Sequence, residues 1–216
     1  MAVQTDALLI RAAEVYALPG AHGKAKADIV GSAEWFAGLA AAADASPRAV
    51  WSVPESLLYL YLHLPESRSV ESADIALLEQ ALLRALPSAS QVSVSRLSRA
   101  FDMPGASAAD QPVFHYVVET DPEAGWADEI ARWYDNEHMP GLAAVPGCVR
   151  ASRFLNHDHG PLSYACYDLV TQETLGSAPW LAVRNTDWSS RTRPHFTNTR
   201  RTMFTLPERC PDSGLL

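Results

Sequence analysis

A histidine beside a glutamate, near the end of an amphipathic segment, could exchange protons with a bound molecule. The segment reads Trp133-Tyr134-Asp135-Asn136-Glu137-His138-Met139-Pro140. Histidine titrates at about pH 6.5 in an ordinary environment, so His138 is suited to be a general base or acid. Tyr134 lies one helical turn before it on the same face. The sequence therefore predicts a small-molecule site with His138 and Glu137 as the acid–base pair.

The same residue types also have structural explanations. A cationic His138 near a helix C-terminus would stabilise the helix dipole, and its ring could bond a free carbonyl. Glu137 could be a solvated surface carboxylate, and Tyr134 could fill the interface between a helix and a sheet. The residue types alone leave these alternatives open.

Composition excludes several classes of function. The chain has 216 residues, 48% of them hydrophobic, and a formal net charge of -8. This acidic balance argues against nucleic acid as a partner, because phosphate binding needs clustered positive charge. The apolar runs are far shorter than the roughly 20 residues that cross a bilayer, and no basic leader precedes one. We expect a soluble, cytoplasmic globular protein that does not bind a membrane.

Metal and cofactor motifs are missing from the sequence. Cys148, Cys166 and Cys210 have no close spacing, which predicts two buried core thiols and one tail thiol. His157 and His159 flank Asp158, but no third or fourth ligand is evident, so no metal is expected. The sequence also lacks a glycine-rich phosphate loop, a Cys-x-x-Cys pair and a nucleophile elbow. We therefore predict no cofactor.

Hydrophobic periodicity predicts six elements in the first half of the chain. They are a strand over Ala7–Tyr16, a helix over Ala25–Ala45 that Pro47 ends, strands over Ala49–Val53 and Leu57–Leu64, a helix over Ser72–Leu86 with Ser72 as N-cap, and a strand over Gln91–Leu97. The second helix is marked by an apolar stripe of Ile75, Leu78, Leu82 and Leu86. The turn-rich residues 102–112 read as a linker.

The same order of elements follows the linker. It comprises a strand over Val113–Glu119, a helix marked by Trp126, Ile130 and Trp133 that starts near Asp121 or Pro122 and is interrupted by Pro140, strands over Val149–Leu155 and Leu162–Val170, a helical region within Leu175–Arg191, and a strand over Thr197–Leu206. The order β-α-β-β-α-β defines the ferredoxin-like unit.

We thus predict an α+β fold of two tandem ferredoxin-like β-α-β-β-α-β units. Each unit leaves one sheet face uncovered, and two units can cover each other by packing their antiparallel sheets face to face, which encloses a pocket. The predicted boundaries are 1–101 for the first unit, 102–112 for the linker, 113–207 for the second unit and 208–216 for a tail. Exposed sheet edges also favour a homodimer, with an internally paired monomer as the alternative.

The phrase Trp-Tyr-Asp-x-Glu-His-x-Pro over residues 133–140, followed by Val-Pro-Gly, resembles the EthD-like branch of the dimeric α/β-barrel superfamily. The later Arg193-Pro194-His195-Phe196 is similar to the end of such domains. This resemblance implies a barrel with a pocket for small, often aromatic or polyketide-like ligands. The superfamily includes cofactor-free monooxygenases, muconolactone isomerases, polyketide cyclases, haem-dependent peroxidases and proteins with no assigned activity, so the fold does not select one chemistry.

The resemblance assigns a functional role first to His138, and then to Glu137, Trp133 and Tyr134. Further candidate ligand contacts are Arg153, Tyr164 and His195, and the strands also carry His115, Tyr167 and Arg201. Strand alternation points only some of these side chains into the pocket, and a register shift of one residue would reverse every assignment.

The first half has no equivalent of the acid–base pair. If Trp35 aligns with Trp133, the position of His138 falls on Ala40. We therefore expect a structural first half and a functional second half. The predicted function is proton-transfer chemistry on a small apolar or aromatic compound, as an isomerase, cyclase or cofactor-free oxygenase. The alternatives are a non-catalytic ligand-binding or stress-response protein and a haem-dependent variant.

Overall fold

Eight antiparallel strands close into a barrel in the computed structural model of the protein. The structure describes residues 1–13, 36, 38–85 and 90–206. The strands are β1 (Val3–Ala13), β2 (Ser46–Ser52), β3 (Leu57–Val70), β4 (Ser90–Pro104), β5 (Phe114–Pro122), β6 (Cys148–Asn156), β7 (Ser163–Leu169) and β8 (Phe196–Thr205).

Each half of the barrel has the ferredoxin-like strand order. The order is β4-β1-β3-β2 in the first half and β8-β5-β7-β6 in the second. The two halves join where β4 pairs with β6 and where β2 pairs with β8. The predicted α+β fold with two sheets facing each other is therefore confirmed, and the two sheets share their edges as one closed barrel. Because those edges are paired within the chain, they give no reason for a dimer, and a homodimer stays a prediction that light scattering tests.

The two seams differ in extent. The β4–β6 seam runs from Leu97 opposite Asn156 to Pro104 opposite Arg150. The β2–β8 seam holds one pair in register, Trp51 opposite Thr205. Strand β4 thus continues well past Leu97, where we expected it to end, and occupies the first three residues of the predicted linker, because its last part pairs with β6.

Alternation along each strand divides the side chains between two surroundings. On β7, Tyr164 and Cys166 lie in the apolar cluster inside the barrel, whereas Ala165, Tyr167 and Leu169 pack outward against the helices of the second half. A third cluster covers the outer face of the first-half sheet. The barrel is thus a layer of side chains between two sheets, with a helical layer on each outer side.

The described helices lie on the outer faces. They are α1 (Ser72–Ala85), α2 (Ala127–Trp133), a π-helical turn (Tyr134–His138), α3 (Met139–Ala143), α4 (Ala178–Arg184) and α5 (Asp187–Thr192), with 3-10 turns at Gln172–Gly176 and Arg193–His195. Helix α1 buries Ile75, Leu78 and Leu82, the stripe that the sequence predicted. No helix in these described ranges is both long and apolar enough to cross a membrane.

Several predicted boundaries are wrong. Pro47 lies inside β2 and not at a helix end, and Ser72 is the first residue of α1. Asp121 and Pro122 belong to β5, because β8 pairs with them, so the helix begins only at Ala127.

The predicted first helix falls largely outside the described residues, as do Trp35, Leu86 and Cys210. Its last residues form turns, since Ala42 N donates to Leu39 O and Ala45 N donates to Ala42 O. Cys148 and Cys166 are buried free thiols, as predicted.

One buried arginine ties the two halves together. Arg96 on β4 is 4% exposed and pairs with Asp158 in the turn between β6 and β7, with Nη2 and Oδ1 2.5 Å apart. Its Nη1 donates to Met1 O and Val70 O, at 2.7 and 2.9 Å. The guanidinium therefore satisfies backbone carbonyls of the first half and a carboxylate of the second.

Replacing this arginine should destabilise the protein strongly. We expect Arg96→Met to lower the free energy of unfolding by about 3 kcal/mol, because it leaves the partly buried Asp158 carboxylate and two backbone carbonyls without their charged partner. Chemical denaturation measures this loss. Arg132→Met is the matched control, because Arg132 is 67% exposed in its pair with Glu129, and an equal loss in both variants would contradict the assignment.

Candidate functional site

A small cavity lies between the second-half sheet and its helices. Its volume is about 50 Å³. The strands contribute Tyr116, Val118, Tyr167, Phe196 and Arg201, and the helical segments contribute Trp133, Tyr134, His138, Leu142, Leu175, Trp180, Arg184 and Arg193. All of these residues belong to the second half of the chain.

A π-helical turn places His138 against this cavity. Met139 N donates to Tyr134 O, five residues earlier, so one extra residue is accommodated within the helix. The side chain of Asn136 donates to Arg132 O, four residues earlier, at 2.7 Å. Such turns occur frequently at functional sites.

The π-helical turn also explains why Pro140 does not interrupt the helix. Proline lacks an N–H group, and in a regular helix its ring clashes with the carbonyl of the fourth preceding residue. The wider turn just before Pro140 relieves this constraint, and α3 continues to Ala143. The expectation that Pro140 interrupts the helix is therefore wrong, because the irregular turn lies before it and Pro140 itself is helical.

His138 is buried, neutral and incompletely hydrogen-bonded. It is 8% exposed, its ring stacks on Trp133 with centroids 4.1 Å apart, and its Nδ1 has no hydrogen-bond partner. Burial lowers the pKa of His138 to about 3, and the charges of Arg193 and Arg184 act in the same direction. A cationic capping role is thus wrong for this residue, because the helix continues past it and the imidazole is uncharged.

Three arginines give the cavity a positive rim. Arg184, Arg193 and Arg201 line it, and none of them forms an ion pair with a carboxylate among the described residues. Burial lowers the pKa of Arg193, and so does the charge of Arg184 and Arg201. This mutual repulsion would be relieved by an anion in the cavity.

Aromatic rings form the remaining walls. Trp133 packs edge-on against Phe196 with centroids 5.8 Å apart, and Tyr167 packs edge-on against Trp180 at 5.2 Å. Tyr116 stacks with Tyr167 at 6.3 Å. The cavity thus combines an apolar, aromatic interior with a cationic edge, which suits a flat organic anion.

Two predicted site residues lie next to the cavity without lining it. The Glu137 carboxylate accepts a hydrogen bond from Thr186 Oγ1 at 2.6 Å, which ties the π-helical turn to the start of α5. Arg153 reaches from β6, lies 5.1 Å from the ring centre of Tyr134 and pairs with Asp135 at 3.0 Å. Both residues support the helix that carries His138.

Two further predicted residues lie elsewhere. Tyr164 points into the barrel, where it lines a cavity of about 310 Å³ at one barrel end with Glu119 and Arg11. His195 stacks on Trp126 with centroids 3.3 Å apart and bonds to Glu123 at 2.6 Å. The structure therefore brings His138, Trp133 and Tyr134 together and separates them from Tyr164 and His195.

Sequence reasoning did not single out several lining residues. Arg184 and Trp180 lie in the region of weak periodicity, and Tyr116 lies on a strand whose register was unknown. Arg193 stood inside the motif before the last strand, but only His195 was selected from it. The position of Arg193 beside a helix end was the one sequence feature that could have indicated its role.

No metal centre accompanies this cavity. Within residues 1–13, 36, 38–85 and 90–206, no group of three or more His, Cys, Asp or Glu side chains is arranged to hold an ion. His157 lies 2.8 Å from Ser98 Oγ, and Asp158 pairs with Arg96. Two of the three side chains in the His157-Asp158-His159 turn are therefore engaged in contacts within the protein.

Comparison with known proteins supports the fold. No family model matches the chain, and no curated protein matches it. Among solved structures it is similar to a putative monooxygenase from Lactobacillus acidophilus NCFM, with 11% identity over 94% of both chains and a TM-score of 0.57. It is also similar to an anthrone oxidase-like protein, with 11% identity over 96% of this chain and 94% of that one and a TM-score of 0.55.

A third similar structure is a variant of chlorite dismutase from Candidatus Nitrospira defluvii, with 10% identity over 95% of this chain and 92% of that one and a TM-score of 0.57. Identities this low are evidence of the fold alone.

Haem, which occurs in the wider superfamily, does not fit the His138 cavity. The volume of about 50 Å³ is far below the roughly 300 Å³ at which organic ligand pockets begin. One face of the imidazole is covered by Trp133, and Nδ1 is buried. This cavity thus lacks the space that haem needs.

The buried histidine makes stability depend on pH. The pKa of His138 is about 3 in the folded chain and about 6.5 in the unfolded chain, so the unfolded chain binds the proton first. The stabilisation is complete above pH 6.5 and is lost as the pH falls toward 3. Between pH 7 and 5 the wild type should lose about 2 kcal/mol more stability than His138→Gln. Denaturation at each pH measures the difference, and equal slopes would show that His138 is not buried in its neutral form.

The similarity to these structures supports the expected fold, in which two ferredoxin-like units close into one antiparallel barrel.

Proposed function

We propose that the His138 cavity binds a small aromatic compound with an acidic C–H or O–H group and removes its proton. The observation that carries this proposal is the unpartnered, neutral imidazole of His138 in a cavity with three arginines that have no carboxylate partner among the described residues. A buried polar atom without a partner costs about 1–3 kcal/mol, so a ligand that bonds to it gains affinity.

His138 would act as the general base. A neutral imidazole can accept a proton, and the developing negative charge on the ligand lies beside the imidazolium that forms and stabilises it. The low pKa of His138 in the ligand-free protein therefore keeps the imidazole unprotonated until a ligand binds.

The arginines would stabilise the product of this step. Removal of a proton next to a carbonyl leaves an enolate, and removal from a phenol leaves a phenolate. Arg193 and Arg184 already repel each other, so an anion between them is favoured electrostatically. The anion then either takes a proton at another atom, as in isomerisation or cyclisation, or gives electrons to dioxygen, as in a cofactor-free oxygenase. The similar structures described as monooxygenase and anthrone oxidase-like proteins support the second route.

The ligand must be small or must move the rim. The cavity of about 50 Å³ holds only a few atoms. The side chains of Arg184 and Arg193 are partly exposed, and their outward rotation would admit one aromatic ring. This constraint favours a single ring over an extended polyketide.

Deuterium exchange tests proton removal without knowledge of the natural substrate. Phenylacetone and phenylpyruvate carry acidic C–H groups beside one ring, and NMR in D₂O follows their exchange. We expect His138→Ala to slow the protein-dependent exchange by at least about 100-fold, and Arg193→Gln to slow it by about 10-fold or more. His157→Ala, an exposed histidine on a distant turn, should keep the wild-type rate. Equal exchange in the wild type and His138→Ala would exclude His138 as the base.

A non-catalytic binding function is the second candidate, because the buried imidazole and aromatic walls suit retention of a ligand as well as turnover. It predicts that phenylpyruvate binds, with affinity that depends on Arg193, while the exchange rate equals that in buffer. Calorimetry together with the exchange assay separates the two functions.

A further inference from the structure

A larger cavity opens at one end of the barrel, inside the sheet and away from His138. Its volume is about 440 Å³, within the range of about 300–1,000 Å³ typical of ligand pockets. The first half supplies Arg48, Tyr61, His63 and Arg99, and the later part of the chain supplies Asp102, Pro112, His115, Arg150, Ser152, Phe154 and Asp168. We call this cavity the barrel mouth. None of these residues lines the His138 cavity.

A chain of hydrogen bonds forms the floor of the barrel mouth. The Asp168 carboxylate lies 2.6 Å from Arg48 Nη2 and 2.7 Å from His115 Nδ1. His115 Nε2 lies 3.1 Å from the hydroxyl of Tyr61. Tyr61, His115 and Asp168 are 1%, 2% and 7% exposed, so these hydrogen bonds are shielded from water. Residues this distant in sequence are thus held in one defined arrangement.

The position of each proton follows from the charges. Burial acts to raise the pKa of Asp168, but the hydrogen bond from His115 and the charge of Arg48 hold it well below its ordinary value, so Asp168 is ionised. Burial lowers the pKa of His115 although the contact with Asp168 acts to raise it, so the ring is neutral. Its one proton must lie on Nδ1, facing the carboxylate, and Nε2 accepts.

The hydroxyl of Tyr61 therefore donates its proton to His115 Nε2. Its oxygen can still accept a hydrogen bond, and Cys166 Sγ, at 3.9 Å, supplies only a weak donor. A ligand that bonds to Tyr61 must bring its own proton, as a hydroxyl or an N–H group.

The charged side chains of the barrel mouth carry one positive charge in excess. The guanidinium groups of Arg48, Arg99 and Arg150 face the carboxylates of Asp102 and Asp168. Arg150 Nε bonds to Asp102 at 2.6 Å, whereas Arg99 lies 3.6 Å from the same carboxylate. Arg99 is thus the least tightly paired cation, and a ligand with a single negative charge balances the rim.

Flat side chains line the passage between rim and floor. The His63 ring stacks on Tyr61 with centroids 5.8 Å apart and planes at 9°, and it lies 6.3 Å from the Phe154 ring. Burial lowers the pKa of His63 to about 4, as do the charges of Arg48 and Arg99, so this ring is neutral. The passage therefore suits an aromatic ring.

We propose that the barrel mouth is a second ligand site, which takes a small aromatic monocarboxylate bearing a hydroxyl group. The carboxylate lies at Arg99, the ring lies against the edges of His63 and Phe154, and the hydroxyl donates to the oxygen of Tyr61. This site uses both halves of the barrel and is independent of proton removal at His138.

Three probes separate the contributions of charge and hydroxyl. Para-hydroxybenzoate carries both, benzoate lacks the hydroxyl and para-cresol lacks the charge; calorimetry or ligand-observed NMR with the full chain gives each affinity. We expect para-hydroxybenzoate to bind about 3- to 10-fold more tightly than benzoate, the range of one hydrogen bond. Tyr61→Phe should abolish this preference. Arg99→Gln should weaken binding of both acids by a similar factor and leave para-cresol unchanged.

Tyr116→Phe is the matched control, because Tyr116 lines the His138 cavity. It should keep the preference for para-hydroxybenzoate, as should His138→Ala. If Tyr61→Phe does not fold, Arg99→Gln remains decisive, because Arg99 lies exposed at the rim. The proposal would be overturned if Tyr116→Phe or His138→Ala lost the preference for para-hydroxybenzoate. It would also be overturned if Arg99→Gln left the affinity for the acids unchanged, or if the wild type did not bind them at millimolar concentration. None of these outcomes depends on the exchange activity proposed for His138.

Discussion

Closure of the sheet within one chain is the constraint on which the rest of the structure depends. A four-stranded ferredoxin-like sheet has two unpaired edges and one face without helices, and both are unfavourable in water. The second half of the chain removes both problems at once, because its edges pair with those of the first half and its sheet covers the open face. Closure also creates the enclosed interior in which polar side chains such as His115 and Asp168 are held.

The two proposed sites share the same strands and lie on opposite faces of them. On β5 and β7, Tyr116 is opposite Tyr167, and both face the His138 cavity. The neighbouring pair, His115 opposite Asp168, faces the barrel mouth. Because successive side chains alternate between faces, a slip of one residue would exchange the contents of the two cavities. The register of this strand pair therefore determines which side chains line each cavity.

Local patterns in the sequence predicted local structure well. The stripe of Leu78 and Leu82 gave helix α1, the alternating runs before and after residue 160 gave β6 and β7, and the element order gave the fold class. The effect of Pro140 depends on the π-helical turn before it, and such a turn has no signature in residue spacing, so the predicted interruption at Pro140 is wrong.

The candidate sites depend on contacts that no local pattern carries. The spacing of Trp133, Tyr134 and His138 within a few residues indicated that these side chains belong together, and the structure places them at one cavity. By contrast, Arg48 and Asp168 are 120 residues apart, and only the strand order brings them into contact. Tyr164 is a predicted ligand contact, yet its side of the sheet follows from a register that composition does not determine.

The unequal seams have a mechanical consequence. The long β4–β6 ladder can serve as a hinge, whereas the opposite closure rests on one pair in register, Trp51 with Thr205. Parting the barrel along that short closure breaks few backbone hydrogen bonds, and the side-chain links between the two halves on this flank are Arg48–Asp168, Tyr59–Glu119 and Tyr61–His115. Backbone pairing therefore resists widening of the interior least on the β2–β8 flank.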